Sequence, residues 1–351
     1  MIMTSEIKLI NKLKMDNKLT REDWINILSS RSAEGLKYLQ SEAREIANKS
    51  YGNKVFIRGL IEISNYCKND CYYCGINRSN LNVSRYRLNK EEILSCCDNG
   101  YSLGFRTFVM QGGEDPYLSD EVLCDIVRDI HEKYPDCAIT LSVGERSYES
   151  YKKLYEAGAE RYLLRHETAC DDHYRKLHPD NQKLSNRIQC LNSLKDIGYQ
   201  VGAGFMVGSP YQTVETLADD MMFISEFKPH MVGIGPFIPH HDTVFKDEPA
   251  GDVELTLYLI GLIRLLLPNA NIPATTALGT ISDDGRQQGI LSGANVIMPN
   301  LSPKEVREKY ELYNNKLSTG VESAEGLDLL KEKIREIGYE IVVDKGDYKW
   351  D

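Results

Sequence analysis

Cys67, Cys71 and Cys74 stand in the run Ser64-Asn-Tyr-Cys67-Lys-Asn-Asp-Cys71-Tyr-Tyr-Cys74-Gly75, directly after an apolar, strand-like segment. The CxxxCxxC spacing brings three thiols onto one short loop. A cubane iron-sulfur cluster has four irons, so three thiolates leave one iron open for a small molecule that binds there and receives an electron. Structural zinc is the competing chemistry, but it is closed and tetrahedral and needs a fourth Cys or His. None stands nearby in the sequence, where the closest histidine is His131. The other cysteines, Cys96, Cys97, Cys124, Cys137, Cys170 and Cys190, lack ligand-like spacing and read mostly as inert thiols. Cys170 is the one placed near a potential pocket.

Further runs carry groups that can bind a ligand. Gln111-Gly112-Gly113-Glu114-Asp115-Pro116 ends a second apolar stretch. Glycines there let backbone approach a ligand closely, although Gly-Gly-acid is also ordinary turn chemistry. Arg165-His166-Glu167-Thr168 follows the apolar Tyr162-Leu-Leu. A carboxylate at a strand end, Glu167, can accept from two vicinal hydroxyls, and Arg187 on a following helix can fork onto a carboxylate; a plain surface position is the alternative for each. The stretch 202–210 is glycine-rich and suits either close packing on a flat ring or plain core. The run Gly233-Ile-Gly-Pro-Phe-Ile-Pro-His240-His241 ends in two histidines able to ligate metal, donate to a substrate or sit on the surface.

These groups need a scaffold, and the chain has room for one large core: 351 residues, 42% hydrophobic. Short apolar runs alternate with amphipathic stretches, the pattern of repeated strand-helix units in a parallel sheet. Eight strands are predicted, at 55–64, 107–112, 138–143, 161–166, 201–207, 231–237, 272–276 and 295–298. Eight is the count of a complete (β/α)8 barrel of the TIM type, whose chemistry lies on the loops after the strands. Helix starts are read at Asn89, Ser119, Thr213 and Ser302-Pro303, with Thr20-Arg-Glu-Asp opening another before Trp24. The expected organisation is an N-terminal helical extension over 1–50, the α/β barrel over 51–315, and a tail over 316–351 packed on it, with a short strand near Tyr339.

A net charge of −10 disfavours general affinity for nucleic acid or anionic membrane. The N-terminal residues show no signal-peptide pattern, and the longest apolar run, 255–267, is interrupted by Arg264 and too short to span a bilayer. An odd count of nine cysteines argues against a disulfide framework. A cytoplasmic protein acting on small molecules is expected.

The sequence resembles the branch of the radical S-adenosylmethionine (SAM) superfamily that contains biotin synthase, methylornithine synthase and the FeFe-hydrogenase maturase HydE, with HydE proteins the nearest in pattern. The resemblance runs from about residue 20 to residue 315 and rests on Ser64-Asn-Tyr-Cys67, Tyr86-Arg, Gly113-Glu-Asp-Pro-Tyr117, Tyr162-Leu-Leu-Arg-His-Glu-Thr-Ala169, Met231-Val-Gly-Ile-Gly-Pro-Phe-Ile-Pro-His240, Ile272-Pro-Ala-Thr-Thr-Ala277 and Gly293-Ala-Asn-Val-Ile-Met-Pro-Asn300. It implies one 4Fe-4S cluster on Cys67, Cys71 and Cys74, and SAM held by Tyr73, Gln111, Gly112, Gly113, Glu114, Glu167 and Arg187. Tyr73 is implied to lie against adenine and Glu114, with the two glycines, to meet the amino group of the methionine moiety.

The resemblance also implies a substrate deeper in the barrel beside Thr140, Ser142, Arg165, Thr275, Thr276, Met298, Tyr310 and Tyr313. Barrel filling is the competing role for Thr275, Thr276 and Met298. Many HydE proteins carry cysteines for a second cluster after the last strand, whereas Lys316-Leu-Ser-Thr-Gly-Val-Glu-Ser holds none, so one cluster is expected. The implied reaction is reductive cleavage of SAM to a 5'-deoxyadenosyl radical acting on a small cysteine-derived iron carbonyl cyanide precursor in H-cluster assembly. The implied partners are a low-potential donor such as flavodoxin or ferredoxin and other hydrogenase maturases. A methylornithine synthase-like or biotin synthase-like enzyme on an amino-acid-like substrate, and an iron-sulfur scaffold or carrier, are the alternatives.

Overall fold

Apolar runs too short for a helix become parallel strands in the computed structural model, which describes residues 4–350. Residues 1–3 of the expected extension and 351 of the expected tail lie outside the described residues. The strands are β1 Lys54–Ile57, β2 Gly59–Ser64, β3 Thr107–Gly112, β4 Ala138–Ser142, β5 Arg161–Leu163, β6 Gln200–Ala203, β7 Met206–Val207, β8 Met231–Val232, β9 Gly235–Pro236, β10 Val296–Ile297 and β11 Glu340–Val342. Six form one sheet in the order β2-β3-β4-β5-β6-β8, β7 pairs with β9, and β10-β1-β11 make a third group. Every pairing among these strands is parallel. The result is an α/β fold with helices on the outside of a parallel sheet.

Isolated parallel bridges continue the pairing beyond the named strands: Met231 with Asn271, Pro273 with Val296, and Leu60 with Asn300. The expected seventh strand, 272–276, is therefore corrected to a pair of single bridges. Pro273 has no N–H, and the Ile272 N–H goes to the Asn295 side chain at 2.9 Å, so no ladder can run there. Thr275 and Thr276 consequently begin the helix Thr276–Ile281 and do not lie on a strand. Met298 lies just past β10. The expected first strand, 55–64, is two strands with different neighbours: β1 joins β10 and β11, and β2 joins β3.

The helix starts follow from capping chemistry. Thr20 and Asp23, and Asn89 and Glu92, form reciprocal capping boxes before Arg21–Ser29 and Lys90–Ser102. Ser119 caps Asp120–Lys133 through its hydroxyl alone, while Thr213 and Thr216 form a further capping box before Val214–Phe227. The helix expected after Ser302-Pro303 is only Lys304–Arg307. The apolar run 255–267 fills Val253–Leu266 and its cap Leu267, with the helix buried between the sheet and Ala33–Tyr51 and Gly261 allowing close approach by Leu39. Arg264, the residue that interrupts it, is fully buried and donates to the carbonyls of Gly293, Pro268 and Ala270 and to Asn295 Oδ1.

The tail closes the end of the sheet opposite the cysteines. After β11 pairs with β1, residues 345–347 pass beneath the strand starts, where Thr107 Oγ1 donates to the Lys345 carbonyl at 2.8 Å and Asn271 Nδ2 to that of Gly346 at 3.0 Å. The fully buried Arg161 reaches the Lys345 carbonyl at 3.1 Å and Asp347 Oδ1 at 2.5 Å. Arg58, also buried, meets the Gly346 carbonyl at 3.4 Å. Deleting residues 344–351 strands both guanidiniums without these acceptors, and urea unfolding is expected to show a loss of about 3–5 kcal/mol.

Candidate functional site

The three thiols occupy the loop that leaves β2, at the C-terminal end of the sheet. That loop has no regular structure of its own and is held by hydrogen bonds from several directions. Lys68 N–H donates to the Glu114 carbonyl, Tyr72 N–H to that of Leu177 and Gly75 N–H to that of Leu312, at 2.9, 3.0 and 2.9 Å. Arg85 binds four carbonyls of the loop at once, those of Asn65, Ile76, Asn77 and Asn80. Gln182 lies 3.6 Å from Cys71 Sγ through its Nε2, and Tyr73 shares a 3.1 Å hydrogen bond with His178 Nε2.

The electrostatics suit a polynuclear cation. Burial raises the pKa of each thiol, and the neighbouring sulfurs raise Cys71 and Cys74 further, with Cys71 reaching about 12. Three thiolates this close are unfavourable without positive charge between them. A mononuclear zinc site would hold its sulfurs about 3.8 Å apart, from a Zn–S bond of about 2.3 Å. Among the described residues, the group of three or more ligand-type side chains whose donor atoms all lie within 4.8 Å is His240, His241 and Asp242, not the cysteines. Three thiols on one loop fit a cluster with one open iron better than a closed four-ligand ion site.

The histidine group has a different role. His240 Nδ1 accepts the Asp242 N–H at 3.1 Å, so its proton sits on Nε2, which faces Glu311 at 3.7 Å and is unsuited to a metal. His240 is buried against Gly75, where a Cβ would strike its ring. His241 is exposed and bonded to Asn314.

Gly113 packs directly against the cysteine loop. A Cβ there would collide with the Tyr66 carbonyl oxygen and lie 2.8 Å from Cys67 Cβ. Its neighbour Asp115, absent from the residues implied by the resemblance, is the anchor of this corner: it accepts from Ser64 Oγ at 2.6 Å and from Arg87 through both oxygens at 2.6 and 3.0 Å. Arg87 in turn lies 3.7 Å over the Tyr66 ring. Glu114 is engaged by Lys68 at 3.2 Å and by the Glu145 N–H at 3.0 Å.

Glu167 and Arg187 come together through backbone and side chains. Arg165 Nη2 donates to Glu167 Oε2 at 2.8 Å, and Arg187 donates to the Arg165 carbonyl at 2.6 Å and to Glu145 Oε1 at 2.5 Å. Arg187 is buried on Leu184–Ile197, the second helix after β5, so neither a surface position nor the first following helix describes it. Glu167 adopts φ +65°, a left-handed conformation that costs a non-glycine residue about 1–3 kcal/mol.

The residues implied for substrate divide into layers. Gln111 and Ser142 are register neighbours on β3 and β4, and Gln111 Nε2 reaches the buried Tyr310 hydroxyl at 3.3 Å. Thr140, one layer deeper, lines a small cavity of about 30 Å³ with Met298, Arg58 and Asn271. The hydroxyls of Thr140 and Thr275 are buried with no hydrogen-bond partner. Thr276 instead accepts from Arg286, itself paired with Glu322, and Tyr313 lies near that arginine. Glu62, fully buried next to Gln111 in the sheet, pairs with Lys316 at 2.6 Å and accepts from Asn300 at 2.9 Å. Sequence reasoning missed Glu62, Arg85, Asp115, His178, Gln182 and Lys316. Asp115 and Lys316 lay inside runs already singled out.

A parallel α/β sheet with three clustered thiols on its first mouth loop is the architecture of an iron-sulfur enzyme that opens one iron to a small molecule. Residues 61–224 match the radical SAM superfamily. The chain is 47% identical over 310 residues, 88% of each chain, to the [FeFe] hydrogenase maturase subunit HydE of Thermotoga maritima, and 31% identical over 302 residues, 86% of this chain and 85% of the other, to 3-methylornithine synthase of Methanosarcina barkeri. The crystal structure of methylornithine synthase superposes with a TM-score of 0.83 at 28% identity, covering 95% of this chain and 97% of that one. A structure of the maturase HydG shares the fold, with a TM-score of 0.77 at 22% identity over 95% of this chain and 75% of that one. The chain belongs to the radical SAM superfamily, in the branch that holds HydE, and is a radical SAM enzyme using a 4Fe-4S cluster and SAM.

Gly113→Ala is expected to displace Cys67 and to cut iron bound after anaerobic reconstitution to about half or less, read by iron and sulfide analysis, because backbone and not a flexible tip must yield. Burial pushes the Asp115 carboxyl up, but Arg87 and Ser64 outweigh it, so the group lies below the 3.8 of a free aspartate. Its stabilisation is present above that value and lost as pH falls through the lower folded-state value. Asp115→Asn should therefore cost about 2 kcal/mol in urea unfolding at pH 7, with the difference from wild type shrinking below about pH 4.

Proposed function

We propose that this enzyme performs the HydE-type reaction, generating a 5'-deoxyadenosyl radical that acts on a small cysteine-derived iron carbonyl cyanide precursor in H-cluster assembly. The 47% identity to HydE over 88% of both chains carries the reading. The cluster, when bound by Cys67, Cys71 and Cys74, supplies the single electron that breaks the carbon-sulfur bond of SAM.

The residues around it do the positioning. Tyr73, fixed by His178, offers a ring face for adenine. Gly112 and Gly113 bring main chain close to the methionine moiety, where Gln111 and Glu114 also stand. Glu167 accepts from the ribose diol, and Arg187 supports it through the Arg165 carbonyl and offers positive charge near the methionine carboxylate. Arg165 stands between this group and the barrel interior and meets an anionic substrate. The partnerless hydroxyls of Thr140 and Thr275, with Ser142, Met298, Tyr310 and Tyr313, line the path below, while Thr276 acts through Arg286.

The isolated bridges at 271, 273 and 300 support a complete eight-fold barrel, which keeps water and stray hydrogen donors from the radical. Division into a helical extension, barrel and tail at 1–50, 51–315 and 316–351 fits this plan. Among the described residues, no helix is long and apolar enough to cross a membrane. Reduction by flavodoxin or ferredoxin, a cytoplasmic location and transfer of product to another maturase belong to the same proposal. A methylornithine synthase-like reaction is the second reading, favoured by the 31% identity and the TM-score of 0.83.

Anaerobically reconstituted, reduced protein given SAM should release 5'-deoxyadenosine, and Cys71→Ser should reduce it to background. Stimulation by a cysteine-bound iron carbonyl cyanide complex is expected; stimulation by an amino acid alone would replace this reading with the second one.

A further inference from the structure

Asp220 sits on the core-facing side of Val214–Phe227, between Leu217 and Ile224, where helical spacing calls for an apolar residue. It is fully buried, and its neighbour Asp219 takes the ordinary surface role, paired with Arg21 at 2.6 Å. A buried carboxyl persists only where it is hydrogen-bonded to something that needs it. Asp220 Oδ1 accepts the Ala169 N–H at 2.6 Å and lies 3.5 Å from His166 Nε2.

His166 is equally buried, its ring between Phe205 and Phe223 at centroid distances of 5.7 and 4.6 Å. Its Nδ1 accepts the Gly204 N–H at 3.3 Å, which places the ring proton on Nε2, facing Asp220. Burial lowers the imidazole pKa to about 3 and raises that of the Asp220 carboxyl, and His166 Nε2 and Asp220 Oδ2 are both buried without a hydrogen-bond partner. Arg165 and Glu167 are the charged groups nearest in the chain, and His173 adds its field from Asp171–Leu177.

Between His166 and Ala169 lie Glu167, at φ +65°, and Thr168. Glu167 N–H donates to the Gly204 carbonyl at 3.0 Å, and Thr168 Oγ1 meets His173 Nδ1 at 3.1 Å, whose Nε2 in turn bonds the Pro210 carbonyl at 2.9 Å. The strained residue is thus bracketed, with Ala169 on one side hydrogen-bonded to the Asp220 carboxyl and His166 on the other packed 3.5 Å from it.

We propose that Asp220 is a positioning residue for SAM binding: acting through Ala169 and His166, it holds the 166–169 turn in the left-handed geometry that presents the Glu167 carboxylate at the mouth. The inference rests on Glu167 as a SAM contact. Asp220→Leu fits the surrounding core but cannot accept from Ala169; Asp220→Asn keeps that acceptor.

The test titrates SAM into anaerobically reconstituted holoprotein, following the change in the reduced cluster's EPR signal, and measures amide hydrogen exchange at Ala169. Asp220→Leu should weaken SAM binding about ten- to a hundredfold and speed exchange at Ala169 with iron content unchanged, and Asp220→Asn should restore affinity to within about threefold of wild type. Wild-type affinity in Asp220→Leu, or an Asp220→Asn variant as weak as the leucine one, would overturn the proposal. If Asp220→Leu fails to load iron, His166→Phe, which fits between the two phenylalanines, decides: weaker SAM binding supports the proposal and unchanged binding overturns it. Glu167→Gln separates the premises, since wild-type affinity there removes the SAM role of Glu167, whereas weakened binding there beside unchanged Asp220→Leu removes only the positioning role.

Discussion

The arrangement depends on keeping three mutually repelling sulfurs in a poorly hydrated pocket on a loop with no secondary structure. Local bonds, such as Arg78 N–H to the Asn69 carbonyl and Ser79 N–H to Asp70, shape its turns but do not attach it to the sheet. The loop is fixed because its backbone donors and acceptors are taken by distant segments: Leu177 and Glu114 for the middle, Leu312 for the end, and the fork of Arg85 for its carbonyls. Satisfying those groups before a cofactor arrives removes part of the ordering cost of binding it. The thiols, raised by burial and by each other, then await a cation to share.

The same logic explains the polar groups in the interior. Asp115 braces Arg87 and Ser64, Glu62 braces Lys316 beneath Tyr310, and Glu322 braces Arg286 beside Thr276. The first two pairs tie strand ends to loops, and the third ties the helix Gly285–Leu291 to the segment after β10. Such pairs contribute little net stability compared with apolar packing, but each leaves an uncompensated charge if one member is displaced. They set register at the strand ends, whereas the continuous apolar core that joins the sheet and the N-terminal helices provides the driving force.

Strength is distributed unevenly between the two ends of the sheet. At the strand starts, the tail after β11 supplies carbonyls to Arg58, Thr107, Arg161 and Asn271 and shuts the interior from below. Toward the strand ends, Thr275 has a partnerless hydroxyl and Glu167 a left-handed backbone, and Thr140 is likewise without a partner in the middle of its strand. Arg58 Nε and Arg161 Nε are also partnerless at the sealed end, so what sets the strand ends apart is the left-handed backbone of Glu167 beside the cysteine loop, a form of strain that gathers where ligands bind.

Local chemistry was legible in the sequence because it depends on neighbours in the chain. The cysteine spacing, the capping boxes at Thr20 and Asn89 and the alternation of apolar runs with amphipathic helices all arise from contacts a few residues apart, and they carried the parallel α/β plan and the positions of most strands. Where long-range hydrogen bonding decides, the sequence is silent. A strand over 272–276 looks sound by composition, yet Pro273 and the Asn295 side chain reduce it to single bridges, which moves Thr275 and Thr276 onto a helix start. Asp220 reads as one more acid on an amphipathic helix beside Asp219, and only the approach of Ala169 and His166 from another unit reveals why a carboxyl is buried there. The sequence by itself determined which residues are able to do the chemistry, through their type and spacing; the tertiary structure decided which of them face one another, because backbone groups left unpaired by one segment were satisfied by another far away in the chain.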